Sequence, residues 1–425
     1  MKNTMTLILG GGRGSRLYPL TRYRSKPAVP LGGKFRLVDV PISNAIHAGL
    51  HRIFVLTQFN SASLHRHISH TYTFSHISNG FVDILAAAQT PAPHDDWYEG
   101  TADAVRKTLS HLEGYDIERV LILSGDQLYR INFEDVIAKH VERGAEVTVA
   151  GNLVAPAETG ALGIMKVDES GRIIDFVEKP DSTELISGFE IPASLYPAGS
   201  HPEEHPYAAS MGIYIWELEA LKDALEANPE ATDFGHEIIP AAIGSRSVYA
   251  CLFDGYWEDI GTIGSFYEAN LSLARPDPPF EFYHQGRAII THPRYLPAAR
   301  VRTATISDAI LADGCDLEAC SITGSVIGVR SILRKGVEID ASVLMGADSY
   351  PAGKPGDRSI PPLGIGEGSV IRRAIIDKDA RIGRDVRIEG REGAGEKHED
   401  LYSVVDGVVV ITKNAVIPDG TEITA

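Results

Sequence analysis

Four glycines and two arginines crowd into one stretch, Leu9-Gly10-Gly11-Gly12-Arg13-Gly14-Ser15-Arg16-Leu17, directly after an apolar, β-rich run. Glycine at that density lets a backbone approach a phosphate chain closely and point its N–H groups at it. No Gly-Lys-Ser/Thr follows, so this is not a Walker A loop; Ser15 and Pro19 also depart from a dinucleotide fingerprint. A Gly-rich turn alone is more often a tight bend than a nucleotide site. Arg13 and Arg16 within it, and Lys26 in Arg24-Ser25-Lys26-Pro27 just beyond, shift that balance. Guanidinium and ammonium groups are what a triphosphate with a departing pyrophosphate requires.

Two carboxylates complement these cations. Asp126 ends the run Leu123-Ser124-Gly125-Asp126, and Asp259 sits in Trp257-Glu258-Asp259-Ile260-Gly261. A lone Asp after a strand commonly forms a turn. Two of them beside glycines point to Mg²⁺, which takes oxygen ligands from one or two carboxylates and from substrate phosphates. In Gly100-Thr101-Ala102-Asp103, Thr101 is expected to cap a helix running to about Leu112, whose N-terminus could hold an anion. Glu178-Lys179-Pro180 by itself reads as a solvated ion pair of little energetic value. His65, His67, His70 and His76 share their spacing with no Cys or carboxylate, and read as structural.

The elements that must position these groups show two periodicities. Up to about residue 275, short apolar strands (Thr6–Leu9, Arg52–Thr57, Val120–Leu123, Val147–Val154) alternate with helical segments. One helix is sharply marked: Asn132 caps it, Val136, Ile137 and Val141 form its stripe, and Gly144 stops it. Such alternation predicts an α/β fold on a mainly parallel sheet, with ligands beyond the carboxyl ends of the strands. Residues 276–300, rich in Pro and aromatics, read as an ordered linker. In 301–425 a six-residue beat takes over, in Ile327, Leu333, Ile339, Met345 and again in Val370, Ile376, Ile382, Ile388. Gly314, Gly328, Gly336, Gly366 and Gly383 fall among them. A hexapeptide period predicts a parallel β-helix, with residues 347–364 a loop projecting from the coil.

With 425 residues, two domains are expected, and a net charge of −17 argues against nucleic acid or acidic membrane surfaces as partners. Against that balance the first forty residues are basic, carrying Arg22, Lys34 and Arg36 besides the cations above and a single acid, Asp39. Cys251, Cys315 and Cys320 lack a CxxC spacing and read as thiols of a reducing cytoplasm. Nothing approaches a membrane span, and a cytoplasmic location is expected.

Read together, Gly10–Thr21 followed by Arg24–Pro30 resembles the start of ADP-glucose pyrophosphorylases, most closely the plant and cyanobacterial type. The similarity continues through Phe35–Asp39, Val55–Leu64, Trp97–Val105, Ser210–Tyr214 and Tyr256–Thr262, and covers essentially the whole chain. It implies a Rossmann-like nucleotidyltransferase domain of mixed sheet over 1–275, then a left-handed parallel β-helix that regulates and oligomerises. It implies adenylyl transfer from ATP to glucose 1-phosphate with Mg²⁺ on Asp126 and Asp259. Arg16 and Lys26 would act on the triphosphate, Gly10, Gly11, Gly12, Arg13, Gln89, Tyr98, Gly100 and Thr101 on the nucleotide, and Gly163, Glu178, Lys179 and Ser210 on the sugar phosphate. Lys378 and Lys413 resemble activator lysines, while Arg24, Arg36, Arg66 and Arg294 resemble arginines that bind regulatory phosphates. A phosphate-bearing effector, orthophosphate and a homotetramer are the implied partners. Gln127 departs from the pattern, since many catalytic relatives have His there.

Three alternatives stay open at this stage: a pyrophosphorylase for dTTP, UTP or CTP; an acyltransferase, as hexapeptide coils often are; and a non-catalytic regulatory subunit. The single His beyond residue 300, His398, counts against acyl transfer, and the intact Arg16, Lys26, Asp126, Lys179 and Asp259 count against a subunit without catalysis.

Overall fold

The computed structural model describes residues 3–75, 77–87, 97–197, 199–351 and 360–425. Apolar runs with no polar alternation become central strands covered on both faces. Thr4–Leu9 lies between Arg52–Thr57 and Arg119–Ser124, parallel to both, and Phe81–Ala86 extends this half. In the other half, Tyr207–Glu217 runs antiparallel to Arg119–Ser124, Val147–Val154 and Gly163–Val167, so the sheet is mixed. Successive side chains along the strands feed two cores. Ile8, Val55, Leu121 and Leu123 enter one; Leu7, Leu56, Val120 and Ile122 enter the other.

The helix after Asn132 spans Phe133–Glu142, with the Asn132 side chain accepting from the Glu134 N–H and Gly144 at φ +59° ending it. Its stripe differs at one position. Phe133, Val136, Ile137 and His140 face inward, whereas Val141 is half exposed. Seven residues bring His140 back under Phe133, while Val141 is carried a further 100° round the barrel. His140 is satisfied there by Thr148 Oγ1 at 2.8 Å and Glu217 Oε1 at 3.1 Å.

Beyond Arg300 three sheets wind round a common axis, parallel except where Lys397–His398 and Tyr402–Val405 add antiparallel strands to one of them. Their registers stack Leu317, Leu333, Ile365, Ile382 and Ile417 on one wall, and Ile322, Ile339, Ile371, Ile388 and Ile423 on the second. Ile327, Leu344, Ile376 and Ile411 make the third. Two residues of the beat are displaced. Ile371 rather than Val370 points inward, and Leu344 rather than Met345, because coils without an inserted loop close in sixteen or seventeen residues and not a strict eighteen. Gly366 marks a tight stack: a Cβ there would lie 2.3 Å from the Gly383 carbonyl oxygen.

The third wall is buried on both sides. Its outward residues Val326, Val343, Ile375 and Val410 join the same apolar core as Leu20, Ile263 and Phe266. The helix Ile263–Ser272 lies over this wall, and the Tyr267 hydroxyl donates to the Ala341 carbonyl at 2.6 Å. Residues 276–299 contain no helix or strand but are well anchored. Phe282 stacks on Phe35 at 3.9 Å, His47 meets the Ala288 carbonyl, and Tyr72 donates to that of Ile290. No helix among the described residues is long and apolar enough to cross a membrane.

Candidate active site

The parallel register aligns Leu9 with both Leu56 and Ser124, so the glycine turn and Ser124-Gly125-Asp126 leave the sheet side by side. A Cβ on Gly10 would lie 3.0 Å from the Leu56 carbonyl, and one on Gly125 2.9 Å from that of Leu9. Only glycine permits this proximity without displacing backbone. Gly14, at φ +64°, turns the chain into the short helical turn Ser15–Leu17 that carries Arg16. Beyond these strand ends opens a cleft of about 1000 Å³, with an adjoining recess of about 220 Å³ under the glycine turn. Gly12, Arg16 and Asp126 border both; Gly10 and Lys26 line the recess.

At the junction Asp126 is held between Lys26, whose ammonium pairs with Oδ2, and Ser124, whose hydroxyl donates to Oδ1. Asp259 arrives on a separate two-stranded ribbon, where Trp257–Asp259 pairs antiparallel with Gln127–Tyr129 and Asp259 stands opposite Gln127. Burial, then the charge of Asp126, raise the Asp259 carboxyl above its ordinary value; Lys26, Arg16 and Lys179 only partly offset this. Two carboxylates facing each other in a half-dry site, with oxygen donors only, fit a divalent cation of the Mg²⁺ type. Among the described residues no group of three or more His, Cys, Asp or Glu could hold a metal, so substrate oxygens would complete the shell.

At one end of the cleft Gln58 clamps the Tyr98 backbone, accepting from its N–H at 2.7 Å and donating to its carbonyl at 3.1 Å. Burial, then Asp103, raise the Tyr98 phenol. Phe59 and Trp97 stack in parallel at 5.4 Å with the Arg13 guanidinium 5.7 Å from the Phe59 ring. Thr101 is not the cap. Gly100 holds that position, the helix spans Thr101–Thr108, and a 3₁₀ turn continues it to Leu112. The Thr101 hydroxyl instead donates to Asp233 at 3.1 Å and accepts from the Phe234 N–H. Gln89 lies outside the described residues.

At the other end Gly163 pairs with Glu178 across two antiparallel strands, and a Cβ on Gly163 would come within 2.4 Å of Glu178 Oε2. Lys179 follows at φ +47°, a left-handed conformation costly for a side-chain-bearing residue, with its ammonium 3.5 Å from Glu178 and half exposed. Ser210 lies where the register of Tyr207–Glu217 shifts, its hydroxyl accepting from the Gly212 N–H. Gln127 donates to the Met211 carbonyl at 2.8 Å, leaving its own Oε1 buried and unpaired.

The basic residues assigned to effectors divide into three kinds. Arg36, Arg294, Lys378 and Lys413 gather at the seam between the two halves of the chain. Burial, with Arg24 and Arg294 nearby, pushes Arg36 down to about 10 despite Asp39; burial likewise pushes Lys378 down to about 8 despite Asp348. Arg24 is a correction: its guanidinium is closed into a buried bidentate pair with Asp377 at 2.8 and 2.9 Å. Arg66 is exposed on the helix Ala62–Thr71 and makes no ion pair among the described residues. His67, on the same helix, bonds to the fully buried Asp39, which also accepts from the Tyr72 hydroxyl. His65 and His70 are exposed, and His76 lies outside the described residues. All three cysteines are buried and free.

Sequence reasoning passed over Gln58, Phe59 and Asp233 as site residues. Gln58 was within reach, since it directly follows the strand Arg52–Thr57 beside the glycine turn. Asp233, which caps Phe234–Ile238, carries no such mark. Residues 5–275 match the family described as Nucleotidyl transferase, and residues 294–422 match the one described as GLGC left-handed parallel beta-helix domain.

Proposed function

Because this chain belongs to the nucleotidyl transferase family, we propose that it is a sugar-1-phosphate adenylyltransferase, joining ATP and glucose 1-phosphate into ADP-glucose with release of pyrophosphate. The carrying observation is that Arg16, Asp126, Lys179 and Asp259 line one cleft and that Lys26 lines the recess adjoining it. In-line attack by a phosphate oxygen on the α-phosphorus needs no protein nucleophile and no strong base, because the monoester is already anionic. The protein's task is to bring two polyanions together and offset the charge that develops on the leaving group. The glycine turn offers backbone N–H groups to the triphosphate. Arg16 and Lys26 stand on the pyrophosphate side, and Lys179 holds the incoming phosphate while Glu178 accepts from sugar hydroxyls. Asp126 and Asp259 would hold Mg²⁺, which supplies Lewis-acid neutralisation of the phosphate oxygens. Phe59 and Trp97 offer stacking area at the base end.

The adenine preference is tested with ATP, dTTP, UTP and CTP, each with glucose 1-phosphate and Mg²⁺, following pyrophosphate release. ATP should support the fastest turnover; a faster reaction with another triphosphate would remove the adenylyl assignment while leaving the transferase. We further read the seam cations as a site for phosphate-bearing effectors, with 3-phosphoglycerate activating and orthophosphate inhibiting. The product would serve glycogen or starch synthesis in the cytoplasm, and sedimentation should report a homotetramer.

A further inference from the structure

The seam cations already face an anion that belongs to the chain. Asp348 Oδ1 accepts from Lys378 Nζ at 2.6 Å, and its Oδ2 accepts from Lys413 Nζ. One carboxylate thereby bridges two lysines from different parts of the β-helix, much as two oxygens of a phosphate would. Asp379 makes the only other acidic contact, at 3.4 Å from Lys413, among the described residues. The neighbouring acids are engaged elsewhere, Asp377 by Arg24 and Asp39 by His67 and Tyr72. Lys378 and Lys413 thus meet Asp348 and part of Asp379, while Arg36 and Arg294 feel the same Asp348 together with Asp39.

The anion is also less firmly placed than the cations. The Lys378 side chain is 8% exposed against 47% for that of Asp348. Asp348 stands after Gly346, where the chain leaves the strand Val343–Leu344, and among the described residues the Ala347 N–H makes the last backbone-to-backbone bond to a neighbouring coil, to the Val329 carbonyl. Among the described residues the Asp348 N–H is held only by the Asp379 carboxylate, at 2.8 Å. Its side chain can leave without breaking a ladder of the β-helix.

Resting on the reading of this seam as an effector site, we propose that Asp348 is a tethered counter-anion that occupies the lysine pair when no effector is bound and is displaced by a phosphate-bearing ligand. Phosphates therefore compete with the chain's own carboxylate. The apparent affinity of the site is lowered by the fraction of molecules in which Asp348 has vacated it, a reduction that a variant without the carboxylate escapes.

The test uses the full chain and its Asp348→Asn variant, titrated calorimetrically at pH 7 with orthophosphate and, separately, with 3-phosphoglycerate. The variant should bind orthophosphate about tenfold more tightly. Equal or weaker binding by the variant, with the wild type binding normally, overturns the role of Asp348 and leaves the effector site standing. Absence of binding by both proteins overturns the effector reading itself. Hydrogen exchange on the wild type gives an answer independent of the variant's folding. Saturating orthophosphate should speed exchange at the Asp348 amide, and slowed exchange there overturns the proposal.

Discussion

Asp259 carries a poorly compensated charge in the cleft. Its burial and its proximity to Asp126 both favour the neutral acid, and the three nearby cations recover only part of the difference. A carboxylate in that position works against the fold until a divalent cation offsets its charge. Asp259→Asn is therefore expected to separate function from stability. Turnover should fall by about a hundredfold or more, on the scale of losing one preorganised electrostatic contact. The thermal midpoint in a chelator should not fall, because a buried negative charge facing another has been removed. Pyrophosphate release and a melting curve check the two halves; a fall in both would make Asp259 a scaffold residue. Asp126 differs, since Lys26 and Ser124 satisfy its oxygens already. The hydroxyl and ammonium contacts fix the orientation of its carboxylate.

Among the elements, the antiparallel half of the sheet sets the end of the cleft proposed for the sugar phosphate. Tyr207–Glu217 pairs with three strands, and its register slips between Ser210 and Ile213, turning Ser210 and Gly212 toward the cleft. Gln127 braces this slip through the Met211 carbonyl, so the ribbon that carries Asp259 and the strand that carries Ser210 are linked by one amide. Gly163 and Glu178 lie on the two strands at the sheet's end, and the missing Cβ of Gly163 is the space in which the Glu178 carboxylate rests. Gly163→Ala should displace that carboxylate and one ring edge of Phe176, which is 2.5 Å from the same Cβ position. The expected result is a KM for glucose 1-phosphate raised about tenfold with the KM for ATP unchanged, consistent with a loss of one to three kcal/mol from a mispositioned polar contact. A parallel rise in both constants would show that the whole cleft, rather than its sugar end, had moved.

At the scale of the molecule, the two halves are welded. One apolar core runs from Leu20 and Phe266 into Val343, Ile375 and Val410, and the Arg24–Asp377 pair is sealed within the same seam. Breaking a buried, bidentate pair by removing one partner leaves an unmatched charge and costs about 3–5 kcal/mol. Arg24→Ala should cost that much in a denaturant melt, and Arg24→Ala with Asp377→Ala should cost less than the sum of the two single changes. An Arg24→Ala chain as stable as the wild type would show the pair to be incidental. A rigid seam also gives the proposed exchange of Asp348 a route to the cleft. The segment Lys26–Arg36 runs from the Asp126 contact to the seam cations, with Arg36 hydrogen-bonded to Ser63 and to the Ala28 carbonyl.

Local chemistry made much of this legible from the chain alone. The glycine turn, the paired aspartates and the alternation of strands with helices each follow from what a short stretch of residues can do by itself, and so did the sixfold beat of the β-helix. Positions fixed by distant partners were not legible. His140 takes the stripe position that the helical period gives it, and the Thr148 and Glu217 partners that allow a polar ring to be buried there lie outside the helix. Thr101 gave up its capping role to bond Asp233 and Phe234, more than a hundred residues away. Arg24 proved to be a rivet because Asp377, across the seam, takes both arms of its guanidinium. Sequence determines which groups can bind phosphate or metal, since that is a property of side chains and of backbone freedom. Which of those groups remain available, and which are consumed by one another, only tertiary structure decides, because pairing depends on contacts that spacing along a chain does not encode.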